Sequence, residues 1–356
     1  MKSLLSVLLF IPILGFSQYT AIPDENFEQA LIDFGHDDAI DGQVFTANIS
    51  TIDSLNIDFK YITSLEGIED FLNLIYLSCV ANNITSLDVS NNASLKHLIC
   101  SDNFITSLDL SQNLVLESLD CGSNQLTNLN LTQNLYLTHL SCYNNQLANL
   151  NIIGNSNLMY LSCPTNQLTD LNLSGCSALN TLICAENLLV SLDISMCPSL
   201  GSLICVDNQL HCLNLKNGLT NSVNNPLYNI QAEFNPNLNC IEVDNPVWAT
   251  QNLTNIDNGV LFSTNCDYPS SCFISSTNIK KYQCNLSIYP NPTNNLIQIE
   301  IENYNGSFVA ELFDFTGKLI ETADKTSFSL ADYPTGIYLL KVAYTDRVEH
   351  LKVVKK

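Results

Sequence analysis

The sequence predicts a mainly β solenoid: near-identical turns, each with two short parallel strands, closed at the start by a small helical cap and followed by a separate β-sandwich. Three observations predict it. Cys79, Cys100, Cys121, Cys142, Cys163, Cys184 and Cys205 stand 21 residues apart. Each is followed three residues later by asparagine, from Asn82 to Asn208, and eight residues later by leucine, from Leu87 to Leu213. Within a turn, leucines alternate with polar residues, as in Leu108-Asp109-Leu110, the period of a strand with one buried side. One turn cannot bury its own apolar side, so turns stack about 4.8 Å apart and identical positions become ladders.

The elements follow in order. Residues 1–17 have a basic start, a short apolar run and a small-residue end, which reads as a secretory signal peptide. Residues 18–48 form an N-terminal cap. Asp24 is the expected helix N-cap, with Phe27, Leu31 and Phe34 on one face. His36-Asp37-Asp38-Ala39-Ile40-Asp41-Gly42 lacks the alternating ligands and later glutamate of a calcium loop, and reads as an ordinary acidic loop. Residues 49–218 carry the repeats. Their pattern, L-x-x-L-x-C-x-x-N-x-L, resembles the leucine-rich repeat. From Ile49 to Leu77 the repeat starts in a slightly longer form, and Ile62-x-x-Leu65-x-Gly67-Ile68 with the 22 residues from Ile57 to Cys79 resemble the internalin-like variety. Leu108-x-Leu110-x-x-Asn113 copies Leu98-x-Cys100-x-x-Asn103, so each turn gains a second strand. A second ladder then runs Asn92, Asn113, Asn134, Asn155, Cys176, Cys197. Residues 219–266 close the solenoid, with Trp248 in the cap, and the Ser-rich residues 267–285 read as a linker.

The seven ladder cysteines are expected to be free and buried, as small hydrophobes in a leucine slot. Parallel side chains on adjacent rungs hold their Cβ atoms too far apart for a disulfide, and one sulfur per turn makes no tetrahedral metal set. Cys240 and Cys266 flank the solenoid's end and are a candidate staple. Cys272 and Cys284 are a second candidate pair, and Cys212 has no evident partner.

Formal charge is -22, and between Tyr61 and Leu215 the only Lys or Arg is Lys96. Such a surface repels phosphate backbones, which argues against nucleic acid. No later run reaches the roughly 20 apolar residues of a spanning helix, so no transmembrane segment is expected after signal cleavage. Catalytic motifs are missing from the sequence, and no cofactor, metal site or catalytic residue is expected. His97 can lie beside Asp120 on the next turn, but no nucleophile accompanies them. The outward ladder Asp88, Asp109, Asn130, Asn151, Asn172, Asp193 reads as a hydrated face. The first strand's outward face is more varied. Tyr76, His97, Ile99, His139, Ser141, Tyr143, Tyr160 and Ser162 are the candidate ligand residues, because exposed aromatics beside polar groups suit protein or sugar contacts.

Residues 286–356 show short alternating strands between turn residues, the pattern of a small β-sandwich. Ile288-Tyr289-Pro290-Asn291-Pro292, then Asp314-Phe315-Thr316-Gly317-Lys318, Gly336-Ile337-Tyr338 and the terminal Lys352-Val353-Val354-Lys355 resemble the C-terminal sorting domain of the type IX secretion system (the Por family, type A). The motif residues are Pro290, Asn291, Pro292, Gly317, Gly336, Tyr338, Lys352 and Lys355. The resemblance implies export across the outer membrane of a Gram-negative bacterium by the type IX machinery. Release or surface attachment would follow. The expected whole is a non-enzymatic secreted or cell-surface binding protein for protein–protein interaction or adhesion, its partner an unidentified protein or glycan. The alternative is a surface glycan-binding module aiding polysaccharide capture.

Overall fold

The computed structural model describes residues 19–218, 229–268, 272, 286–301, 308–314, 318–323, 325–344 and 347–356. The signal-peptide residues, Cys284, Gly317 and most of residues 267–285 lie outside these. The chain divides into two compact units, Met1–Phe273 and Ile274–Lys356.

In the first unit one sheet of nine parallel strands runs from Ser54–Asn56 to Asn229–Gln231 in chain order. Its register repeats the sequence period: Leu77, Leu98, Leu119 and Leu140 are directly opposed, each at most 1% exposed. All seven ladder cysteines are fully buried and free, as are Cys176 and Cys197. Burial pushes the thiols of Cys100, Cys163 and Cys205 up to about 12, so they remain protonated and unreactive.

The asparagine ladder pairs the backbone groups that each bend leaves over. Asn103 Nδ2 donates to the carbonyls of Cys79, Cys100 and Ser101, and its Oδ1 accepts from Ile84 N at 3.0 Å. The same set recurs at Asn124, Asn145, Asn166, Asn187 and Asn208. The residue before each asparagine is left-handed without being glycine, as at Asp102 (φ 56°), Thr165 (φ 55°) and Glu186 (φ 54°). The bend therefore stores backbone strain, which the asparagine bonds hold in place.

The second side of the turn is less regular. Its strands pair at Leu129–Asn130 with Leu150–Asn151, and from Ser191–Asp193 through Cys212–Asn214 and Cys240–Glu242 to Leu261–Ser263. Around Val89, Leu110 and Leu173 the in–out alternation persists without a strand ladder. Around Val89 and Leu110 the second asparagine ladder links the turns, with Asn113 Nδ2 donating to Val89 O at 2.9 Å and to Asn92 O at 3.1 Å. The ladder turns to cysteine at Cys176 and Cys197, and Ser191–Asp193, before Cys197, pairs through the backbone with Cys212–Asn214, after it.

Both ends are capped. Asp24 Oδ1 accepts from Asn26 N and Phe27 N and starts helix Glu25–Asp33, while its Oδ2 accepts from Thr63 N, Thr63 Oγ1 and Ser64 N in the first turn. Phe27 and Leu31 enter the core, but Phe34 does not. It is the helix's C-cap and 45% exposed, because the helical phase ends before it. At the other end, helix Pro246–Asn252 begins with Asn245 accepting from Trp248 N, and Trp248 packs partly buried on the core. Cys240 bonds to Cys266. The expected pairing of Cys272 with Cys284 is corrected: Cys272 bonds to Cys212, which lies one strand from Cys240. Strand adjacency, invisible in linear spacing, brings these four sulfurs together.

The second unit consists of antiparallel sheets of three and four strands over a core of Ile297, Leu312, Phe328, Leu340 and Val353.

Candidate functional site

In-register pairing turns outward positions of the nine-stranded sheet into rows. Tyr76 and His97 are opposed with ring centroids 6.3 Å apart, and His139 and Tyr160 are stacked at 6.1 Å. Ser118 separates the two pairs. The next row runs Ile99, Asp120, Ser141, Ser162.

Tyr143 extends this surface past the strand. Gly122 stands at the equivalent position one turn earlier, and a β-carbon there would overlap Cε1, Cδ1 and Cζ of the Tyr143 ring. The ring thus lies across the neighbouring turn. Burial raises the Tyr143 pKa, and the negative charges of Asp120 and Asp102 add to it, against hydrogen bonds to Ser123 and Ser101. Asp120 is also raised, by burial first, although Gly122 N and the Ser141 hydroxyl hydrogen-bond to it. A half-buried carboxylate beside an aromatic ring can accept hydrogen bonds or pair with a cationic group, and the ring offers a stacking face.

Of the expected residues, Tyr76, His97, Ile99, Ser141, Tyr143 and Tyr160 are half-buried and His139 is exposed on this side. Ser162 is corrected: it faces outward but is only 7% exposed, between Ser141 and Ile183. The placement of His97 beside Asp120 is also corrected. Asp120 opposes Ile99, and Ser118 opposes His97. Sequence reasoning named Asp120 only as a neighbour of His97, not as part of the surface, and missed Gly122. A carboxylate within an Ile/Ser row, and a glycine one turn before a tyrosine, were the available signals.

The acidic second-strand ladder is occupied by the fold. Asp88, Asp109, Asn130, Asn172 and Asp193 each accept from the backbone N–H two residues on, as with Ser90 N at 2.9 Å from Asp88 Oδ1. These bonds lower the pKa of Asp88 and Asp109. Among the described residues no group of three or more His, Cys, Asp or Glu side chains is placed to hold a metal ion. No helix of the described residues is long and apolar enough to cross a membrane.

In the second unit the separate motifs meet. Asn291 Nδ2 donates to Lys352 O at 2.7 Å, and Val354 N donates to Asn291 Oδ1 at 2.9 Å. Thr293 N donates to Val354 O, and Lys356 N to Thr293 O. Lys355 is buried, with its ammonium donating to the carbonyls of Leu330, Ala331 and Tyr333. Tyr338 Oη donates to Pro334 O at 2.6 Å. Pro290, Pro292, Gly336 and Lys352 are exposed.

Fold and repeat define the class: a leucine-rich-repeat solenoid protein with a C-terminal export module. Residues 287–356 match the Por_Secre_tail family, described as a secretion system C-terminal sorting domain, and this segment is a type IX sorting domain. No curated protein matches the chain in sequence. Among solved structures, internalin C2 from Listeria monocytogenes is similar at 26% identity and a TM-score of 0.49, covering 64% of this chain and 99% of its own. The functional domain of InlJ from Listeria monocytogenes, described as including a cysteine ladder, is 20% identical with a TM-score of 0.41, covering 96% of this chain and 100% of its own. The leucine-rich effector YopM from Yersinia pestis is 22% identical with a TM-score of 0.38, covering 49% and 46%.

Proposed function

We propose that the chain is a non-enzymatic binding protein, exported through its sorting domain and displayed outside the cell or released there. In this reading the outer side of the nine-stranded sheet is its ligand surface, engaged in protein–protein interaction or adhesion. The observation that carries the reading is Tyr143 braced over Gly122 beside Asp120, close to the aromatic pairs. Elsewhere the repeating polar residues have duties in the fold: the asparagines tie bends and the second-strand Asx residues cap turns. A rigid aromatic next to a half-buried acid gives area and direction at small entropic cost.

The test compares ligand capture from the protein's natural surroundings by the wild type, Tyr143→Ser and Asp88→Asn, with circular dichroism to confirm folding. Loss of the captured partner in Tyr143→Ser alone supports the surface. Retention in Tyr143→Ser removes it. The alternative, a glycan module, is favoured by the stacked His139–Tyr160 pair. It requires binding on a polysaccharide array, lost in Tyr160→Ala.

A further inference from the structure

We propose that a cavity at the C-terminal end of the solenoid seats an arginine side chain of a partner peptide, its guanidinium held between the ring of Phe234 and the carboxylate of Asp207. The cavity measures about 680 Å³, and Asp207, Phe234, Asn239, Asp257 and Asn258 are among the residues that line it. Ligand sites commonly run from roughly 300 to 1,000 Å³. It opens where the last strand of the nine-stranded sheet, Asn229–Gln231, passes into the bend that follows. It shares no residue with the surface around Tyr143.

The bend fixes both contact residues. Asp207 and Phe234 hold the left-handed place of successive turns, with φ at 56° and 59°, and Asp207 N donates to Glu233 O at 3.1 Å. A bulky side chain is unfavourable in this region. Asp257 holds Phe234 there, its carboxylate accepting from Phe234 N at 2.9 Å and from Asn235 N at 2.7 Å. Beneath it, buried Asn235 donates to Cys205 O and Ala232 O and accepts from Leu210 N. The Phe234 ring is nonetheless 67% exposed and takes no part in the core. An apolar ring thus faces water on a backbone with little freedom to withdraw it.

The polar groups around the ring are uncommitted. Asp207 is exposed, and among the described residues its carboxylate has neither a hydrogen bond nor an ion pair. The Asn258 amide is equally free among the described residues. Asn239 spends only its Nδ2, on Asn237 O.

The chemistry selects a cation. Phenylalanine offers only ring faces, which carry the negative pole of the quadrupole and attract a cation. Asp207 and Asp257 add formal negative charge, and no Lys or Arg lines the cavity to oppose it. A neutral sugar would stack on the ring but gain nothing from these charges, and an anion would be repelled. Arginine fits better than lysine, because a planar guanidinium stacks on an aromatic face while its edge pairs with a carboxylate. The amides of Asn239 and Asn258 then remain for the backbone of the bound peptide.

Calorimetric titration of the full chain with acetyl-Gly-Arg-Gly-amide, up to millimolar peptide, tests this. The same peptide with lysine or glutamine in place of arginine, and the tetrasaccharide of cellulose, are titrated alongside. The variants are Asp207→Asn, Phe234→Asn and, as a control, Asp88→Asn. Asparagine tolerates the left-handed backbone, so both cavity variants keep the bend. The expected result is binding of the arginine peptide by wild type and Asp88→Asn, weaker binding of lysine and none of glutamine. Asp207→Asn and Phe234→Asn should each bind on the order of tenfold more weakly. Phe234→Asn should at the same time unfold at a higher temperature than wild type, since it relieves the left-handed phenylalanine. A residue kept only for the fold would not lose binding while gaining stability. Affinity should also fall as salt rises. The proposal is overturned by no binding of the arginine peptide to wild type, by equal affinity in either cavity variant, or by equal binding of the glutamine peptide. Binding of the tetrasaccharide alone, lost in Phe234→Asn, would also overturn it and make the cavity a sugar site.

Discussion

The ring of Tyr143 occupies the space that a side chain on Gly122 would need. The two residues are one repeat apart, and the absence of a β-carbon at one lets the other lie flat along the stack. Gly122→Ala should therefore lift the ring, at a cost of about 1–3 kcal/mol in stability. Near-ultraviolet circular dichroism and denaturant melts against Tyr143→Ser check this. In the double variant Gly122→Ala/Tyr143→Ser most of the cost should vanish, because the overlapping ring is gone.

Asn145 joins two turns. Its Nδ2 donates to the carbonyls of Cys121, Cys142 and Tyr143, and its Oδ1 accepts from Leu126 N. Asn145→Leu keeps the branched shape and heavy-atom count and strands these groups without water. We expect a loss of about 2–4 kcal/mol, read by urea denaturation. Exposed Asn149→Ser should change stability by about 0.5 kcal/mol or less.

Thr165 is β-branched and left-handed, with φ at 55°. Asparagine tolerates this region and already occupies the same place in the preceding turn, at Asn144 with φ at 49°. Thr165→Asn should stabilise the solenoid by about 1 kcal/mol, a rise in unfolding temperature measurable by calorimetry.

Asp24 links the helical cap to the first turn. Burial pushes its pKa up, but the Thr63 hydroxyl and the N–H groups of Thr63, Phe27 and Ser64 outweigh this and leave it below the ordinary carboxylate value. A depressed folded pKa contributes stability that is fully present above the unfolded value of about 3.9 and is lost as pH falls through the folded one. Asp24→Asn should cost about 1–2 kcal/mol at neutral pH. The gap from wild type should narrow as pH falls below about 4. Parallel acid melts of the two proteins check the sign.

The core was legible because burial repeats: one residue type at one interval, from Cys79 to Cys205, reveals its side of the chain. The turn asparagines were legible for the same reason. Contacts between turns were less legible. Asp120 opposes Ile99 rather than His97 because register pairs residues 21 apart, and 97 to 120 is not that interval. Ser162 is covered although its alternation is outward. The second strand pairs in some turns and not others, a difference that the repeat pattern does not carry. Cys212 found Cys272 because the cap folds back where no period guides the eye. Phe34 fell outside the core because the helix ended one residue earlier than its apolar spacing suggests.

The central claim is that the evenly spaced thiols form an inner row of a stacked coil, and a thiol-labelling count with peptide mapping tests it most directly. The account predicts that Cys79, Cys100, Cys121, Cys142, Cys163, Cys184 and Cys205 resist a maleimide probe in the folded protein and all react, without reductant, once it is unfolded. Rapid labelling of these cysteines in the native state, or their recovery as disulfide-linked peptides, would contradict it.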